Sequence, residues 1–179
     1  MKQILNQYTK EQVKKASSIS AIFFDVDGVL TDGKIIYDNA GNETKQFNVK
    51  DGSMISYLKK AGIIVGIITS RDSKVVSNRA SELKLDFCHQ GIMNKREVFE
   101  KMVSYYKLKK KQVAYIGDDI NDLGTLKDCG LSVCPADAIS YVRDKADLVT
   151  KAKGGQGVVR EVADLVLAAK GELEKILKA

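Results

Sequence analysis

One histidine, one proline and three cysteines occur among 179 residues, and each scarcity excludes something. With His89 alone there is no second imidazole for a metal pair or a histidine relay, so it reads as a structural or surface residue. Cys88, Cys129 and Cys134 show no zinc-like spacing and read as buried, reduced thiols. Pro135 marks only the bend after Cys134. No apolar run approaches a membrane span, and Met1 to Ser20 is too polar and charged for a secretory signal, which points to the cytoplasm and to no membrane partner. Aromatics are also sparse near the lysines of 107–111, where only Tyr105 and Tyr106 lie, whereas a nucleic-acid reader interleaves the two. The net charge of +6 therefore reads as solvated helix ends and as attraction for a small anion, with no nucleic-acid partner. At 44% hydrophobic residues the chain can bury one substantial core, that of a single domain over 1–179.

What is present is a set of apolar runs that break into polar chemistry. Ala21 to Phe24 reads as a buried strand ending in Asp25 and Asp27, with Gly28 allowing a tight exit turn. That is the edge at which open α/β sheets place ligands. Two carboxylates so close repel, and a cation, a lysine or one retained proton must offset them. Each of these suits phosphoryl transfer, in which an ionised Asp attacks phosphorus and a protonated neighbour donates to the leaving oxygen. Taken alone, Asp25-Val26-Asp27-Gly28 equally describes a helix N-cap or an Asp-rich turn.

Three further points bear on that choice. The run Ile63 to Ile68 ends in Thr69-Ser70-Arg71, presenting a hydroxyl that can bond a phosphoryl oxygen. Lys95 follows the polar loop 90–94 and opens an amphipathic helix, where its charge can hold a nucleophile ionised. Val113 to Ile116 breaks into Gly117-Asp118-Asp119-Ile120-Asn121-Asp122, hard oxygen donors that favour magnesium over zinc. Each element alone reads as a cap or a solvated side chain. Their shared place at strand ends points to one site.

Helical segments near 52–61, 73–84, 95–107, 120–129, 137–144 and 157–170 separate strands near 63–69, 86–88, 113–116, 131–133 and 147–149. Such alternation predicts a parallel sheet covered on both faces, a Rossmann-like three-layer α/β/α sandwich. Residues 4–17 read as an extra helix within an N-terminal extension over 1–20, and no internal repeat occurs.

In this order, Asp25-Val26-Asp27-Gly28, Thr69, Lys95 and Gly117-Asp118-Asp119 closely resemble the four motifs of the haloacid dehalogenase superfamily of phosphatases. The resemblance implies that Asp25 is the nucleophile and forms an aspartyl-phosphate, that Asp27 is the general acid and base, and that Thr69 and Lys95 complete the catalytic set. It implies a magnesium ion held by Asp25, the main-chain carbonyl of Asp27 and Asp118, with Asp119 and Asp122 supporting it through waters or hydrogen bonds.

Only about thirty-five residues separate Gly28 from the next core strand, too few for a cap domain with its own core. Residues 33–50 instead read as a β-hairpin, Lys34 to Asp38, a turn over Asn39 to Asn42, and Glu43 to Val49, with Asp51-Gly52 starting a helix. The hairpin, the run Lys45 to Gly52, Gln90-Gly91 and the stretch Gly154 to Glu161 together resemble the capless 3-deoxy-D-manno-octulosonate 8-phosphate phosphatases. That implies hydrolysis of this sugar-acid phosphate in lipopolysaccharide precursor biosynthesis. Relatives act instead on nine-carbon sialic-type acid 9-phosphates, and a related domain appended to cytidylyltransferases suggests a non-catalytic oligomerisation module. The intact charges at Asp25, Asp27, Lys95 and Asp118 argue against the module.

The same resemblance implies substrate contacts from Lys45, Asp51, Ser70, Arg71, Asn94, Gly155 and Arg160. Arg71 and Arg160 read either as a grip on a carboxylate or hydroxyl or as surface salt bridges. Ser70 stands where the family commonly has glycine, and Asn121 with Leu123 where one branch has Ile and Trp. Within 153–179, Gly154 to Gly157 is either a flexible link to the C-terminal helix or the segment that closes over a neighbouring subunit's site. A hairpin alone is marginal in water, so Ile35, Ile36, Tyr37, Phe47 and Val49 should seek a partner, which fits a homotetramer with shared sites.

Overall fold

Ala21–Phe24, strand β1, is buried at every position because helices cover the sheet on both faces. In the computed structural model, which describes residues 2–178, Ala21 and Phe23 point into one apolar layer and Ile22 and Phe24 into the other. Each fully buried Phe or Ile here contributes about 2 kcal/mol of apolar burial. The first layer contains α5 (Lys95–Tyr105) and α6 (Leu123–Asp128), and the second α3 (Val49–Lys60), α4 (Lys74–Glu82) and α8 (Val158–Ala169).

Six parallel strands run in the order β5-β4-β1-β6-β7-β8, with β4 at Ile64–Ile68, β5 at Phe87–His89, β6 at Val113–Ile116, β7 at Leu131–Cys134 and β8 at Leu148–Val149. The chain passes outward from β1 to β4 and β5, then crosses back to β6. Strand order therefore reverses at β1 and β6, and the crevice beyond that reversal is where such sheets bind ligands. Phe24 lies level with Ile67 and Ile116, so the residues following β1, β4 and β6 emerge side by side at one edge.

Three expected elements differ. The helix over 4–17 is two helices, α1 (Lys2–Leu5) and α2 (Lys10–Ser17). Thr9 and Gln12 form a reciprocal capping box that starts a new helix where continuation was expected. The hairpin is shorter than expected, with β2 (Ile36–Tyr37) antiparallel to β3 (Glu43–Thr44), because Asn48 caps α3 and draws Val49 into its first turn. The helix over 120–129 begins as a 3-10 turn at Ile120–Asp122, capped by Asp119, before α6. Beyond α7 (Ser140–Arg143), the apolar helix α8 packs under α2 and α3, and Gly171, at φ +75°, breaks it from α9 (Glu172–Lys178). Among the described residues no helix is long and apolar enough to cross a membrane. All three cysteines are free thiols.

Candidate active site

The β1–β6 ladder extends one residue past the strand, since the Asp25 amide donates to the Ile116 carbonyl at 3.0 Å. This fixes the Asp25 carboxylate, 7% exposed, above the sheet. One oxygen accepts the Val26 amide at 2.7 Å and the other accepts Lys95 Nζ at 2.5 Å. The Val26 carbonyl then accepts the amides of Val29, Leu30 and Thr31, which closes the turn over Asp27 and Gly28. Gly28 is required there twice over. Its φ is +82°, and a Cβ would stand 2.1 Å from an Asp118 carboxylate oxygen. The glycine thus admits the carboxylate of the β6 loop against the β1 loop.

Carboxylate oxygens of Asp25, Asp118 and Asp122 lie within 4.8 Å of one another. Asp122 is fully buried and saturated: Lys95 Nζ (2.8 Å) and the Tyr115 hydroxyl (2.7 Å) donate to one oxygen, and the amides of Asp118 (3.1 Å) and Asp119 (3.3 Å) to the other. It anchors the loop and Lys95. Asp119 does not join the cluster, because its carboxylate turns back to cap the amide of Ile120 at 2.6 Å. Tyr115 is a site residue that the sequence reading missed, since it sits inside an apolar run. A buried tyrosine must find a partner for its hydroxyl, and the acid loop two residues on was the available signal.

The electrostatics are those of a site short of positive charge. Burial, then the charges of Asp25 and Asp122, push the Asp118 carboxyl up to about 8. Burial raises Asp25 to about 6 against the pull of Lys95. Burial disfavours the Lys95 ammonium, but Asp25 and Asp122 outweigh it and hold its pKa above the ordinary value. One ammonium among three crowded carboxylates leaves room for a divalent cation, and an all-oxygen donor set suits magnesium. Asp25 and Asp118 fit that ion, whereas the oxygens of Asp122 are already taken by protein donors.

Thr69, 2% exposed, is held by backbone bonds to His89 and Ile92. Asp27 faces outward and is paired with Lys45, whose side chain is 1% exposed. Lys45 also lies 3.4 Å from Glu43, and Glu43 in turn accepts Arg71 Nη2 at 2.6 Å and the Ser73 hydroxyl. The Tyr37 hydroxyl accepts the same Arg71 nitrogen at 3.2 Å. Lys45 and Arg71 are thus gathered at the mouth beside Asp27, with Glu43 and Ser73, which sequence reasoning did not single out.

Other expected substrate contacts fall elsewhere. Asp51 is 2% exposed, and its carboxylate accepts the Arg160 amide at 2.7 Å, capping α8 from beneath; burial raises its pKa to about 6. It is closed to a ligand. The Arg160 side chain lies along its own helix, donating to Asp164 at 2.7 Å. Asn94 caps α5 through the Glu97 amide at 3.3 Å. Gly154 and Gly155 pack on this chain's own loop: the Gly155 amide donates to the Val29 carbonyl at 3.0 Å, and a Cβ on Gly154 would stand 2.2 Å from the Gly28 carbonyl. The segment expected either to be flexible or to close over a neighbour is tied to the loop that carries Asp27. A cavity of about 360 Å³ opens beside it, lined by Asp32, Gln46, Asn48 and Gln156 among others.

A parallel sheet whose switch point carries Asp25, Asp27, Thr69, Lys95 and Asp118 on successive loops defines a haloacid dehalogenase-like hydrolase, and residues 84–162 match the family of that description. The chain is 42% identical over 163 residues to 3-deoxy-D-manno-octulosonate 8-phosphate phosphatase KdsC of Escherichia coli K12, covering 91% of this chain and 87% of that one. The crystal structure of the Yersinia pestis phosphatase superposes with a TM-score of 0.91 at 41% identity, covering 92% of this chain and 89% of the other. That of the Moraxella catarrhalis phosphatase, in complex with magnesium, phosphate and KDO, gives 0.93 at 36% identity, covering 96% and 98%. The chain belongs to the 3-deoxy-D-manno-octulosonate 8-phosphate phosphatase family.

Proposed function

We propose that the chain is a magnesium-dependent phosphatase that hydrolyses 3-deoxy-D-manno-octulosonate 8-phosphate to the free sugar acid and phosphate. The observation that carries this is the convergence of Asp25, Lys95, Asp118 and Asp122 in one buried cluster, in a chain of this family. An Asp25 oxygen attacks phosphorus, the bond from phosphorus to the sugar oxygen breaks, and Asp27 gives that oxygen its proton. Water then attacks the aspartyl-phosphate and loses a proton to Asp27, the bond from phosphorus to Asp25 breaks, and phosphate leaves. Lys95 keeps Asp25 ionised and aligned, and the Thr69 hydroxyl, at the end of β4, bonds a phosphoryl oxygen. Magnesium, held by Asp25, Asp118 and the Asp27 carbonyl, supplies charge neutralisation on the transferring group.

Lys45 and Arg71 at the mouth are the cations best placed for the sugar acid. The exposed apolar side chains of Ile35 (57%) and Tyr37 (58%) at the hairpin and Val49 (76%) at the start of α3 support assembly into a homotetramer with shared sites. The whole chain then acts as one catalytic domain, working in the cytoplasm. Turnover of eight-carbon and nine-carbon keto-sugar-acid phosphates, with simple phosphate esters as controls and magnesium present, tests the substrate. Preference for the eight-carbon ester is expected, and preference for a nine-carbon ester replaces it.

A further inference from the structure

Ser70 and Asn121, two departures from the common family pattern, touch each other. Asn121 Nδ2 donates to Ser70 Oγ at 3.0 Å, and Ser70 Oγ donates onward to the Ile92 carbonyl, also at 3.0 Å. The Ile92 amide meanwhile donates to the Thr69 carbonyl at 3.0 Å. One hydroxyl therefore joins three loops. The first carries Thr69, the second leads through Ile92 to Lys95, and the third carries Asp118 and Asp122 on either side of Asn121.

The sheet makes this junction more than local. β4 and β6 are not neighbours, because β1 lies between them. No ladder bond can tie their loops together, and strands two apart are separated by about 9–10 Å. The bridge from Ser70 to Asn121 connects those loops directly, across the end of the strand that delivers Asp25. Thr69 on one side and Asp118 on the other have their own strands to hold them; apart from this bridge the two loops are linked through β1 and, less directly, through α5, whose Lys95 bonds Asp122.

We infer that Ser70, with Asn121, is a positioning residue that fixes the spacing of the Thr69, Lys95 and Asp118 loops, and not a substrate contact. This rests on the phosphatase reading, since it concerns the geometry of that reaction. A displacement well under 1 Å between reacting groups is enough to cost about tenfold in rate, and a site with one loop-to-loop bond removed is free to make it.

The test measures kcat and KM of Ser70→Ala, Asn121→Ala, the double variant and Ser70→Thr at saturating magnesium. Two substrates are used, the octulosonate 8-phosphate and p-nitrophenyl phosphate, and thermal midpoints are recorded in parallel. Expected for Ser70→Ala is a fall in kcat of about tenfold on both esters, with KM changed less than about twofold and the midpoint little moved. Asn121→Ala should fall less, the double variant should match Ser70→Ala, and Ser70→Thr, which keeps the hydroxyl, should recover most of the rate. Unchanged kcat, a loss confined to KM for the sugar acid, or multiplicative losses in the double variant overturns the proposal. A wild-type chain active on p-nitrophenyl phosphate but not on the sugar acid overturns only the substrate reading. Inactivity on both removes the phosphatase reading and this proposal with it.

Discussion

Two charge clusters stand a few residues apart, and they are built on opposite principles. The inner one places Lys95, 1% exposed, between Asp25 and Asp122, each delivered by a strand end or a capped turn of the main sheet. The outer one links Asp27, Lys45, Glu43 and Arg71 through a hairpin of two-residue strands whose apolar side chains face outward. In the inner cluster low polarity magnifies every charge, so a missing partner is costly. In the outer cluster Lys45 is buried but Asp27 and Arg71 are partly solvated, which lowers the value of the Arg71 pairs, and the geometry depends on whatever steadies the hairpin. The inner frame suits chemistry that tolerates no displacement, and the outer one suits selection among leaving groups.

The sharpest way to break this contrast is to remove the inner nucleophile. Asp25→Asn should lower kcat by about four orders of magnitude or more while the protein stays folded, since an amide cannot attack phosphorus. Circular dichroism and a thermal midpoint establish the fold. Near-normal turnover by a folded variant would remove Asp25 from the chemistry. Next in size is Lys95→Met, which leaves Asp25 and Asp122 without their shared cation. A loss of about 100-fold to 1,000-fold in kcat is expected, together with about 3 kcal/mol of stability in denaturant unfolding. Full stability of Lys95→Met in metal-free buffer would mean that the inner cluster is not held by its charges.

The outer cluster should respond differently. Arg71→Ala is expected to lower kcat/KM for the sugar-acid phosphate by about tenfold, mainly through KM, and to leave a small phosphate ester within about twofold. Equal losses on both esters would show that Arg71 serves the chemistry through Asp27, from which its Nε lies 3.9 Å.

The same division decides what could be read from the sequence. Apolar runs that stop at Asp25, Thr69 and Gly117 announce both the strands and the chemical edge, because buried parallel strands have few ways to look. Lys95 was legible for its place at a helix start. Tyr115 was not, because a side chain inside a strand reads as core until its hydroxyl's partner is known. Asp51 and Arg160 read as substrate contacts only by resemblance. Which carboxylate caps which helix depends on how α3 packs against α8, a long-range contact that local sequence does not carry. The short hairpin was over-extended for a related reason. Glu43 to Val49 alternates well enough for a strand, but the Asn48 cap, a competing local signal, wins.

The smallest effect separates the two clusters by sign. In the inner one, folded Asp118 and Asp25 bind protons up to about 8 and about 6, whereas an unfolded chain releases them near the ordinary value of 3.8. The folded state then holds more protons, so the stability of metal-free protein should fall as pH rises from about 4 to about 8. Asp51, raised to about 6, adds to the lower part of that slope. In the outer cluster Glu43 is held below its ordinary value, first by the Ser73 hydroxyl and then by Lys45 and Arg71. Its contribution is present above its ordinary 4.5 and is lost as pH drops through the lowered folded value. Metal-free protein should therefore be most stable in mildly acid solution, with a midpoint lower by more than about 10 °C at pH 8 than at the maximum. Magnesium favours the ionised carboxylates and should remove most of the alkaline decline, leaving the part due to Asp51 and leaving the acid limb unchanged. Calorimetry from pH 2.5 to 8, with chelator or with magnesium, reads both limbs. An alkaline decline of equal depth with and without magnesium would mean that Asp25 and Asp118 do not share the ion.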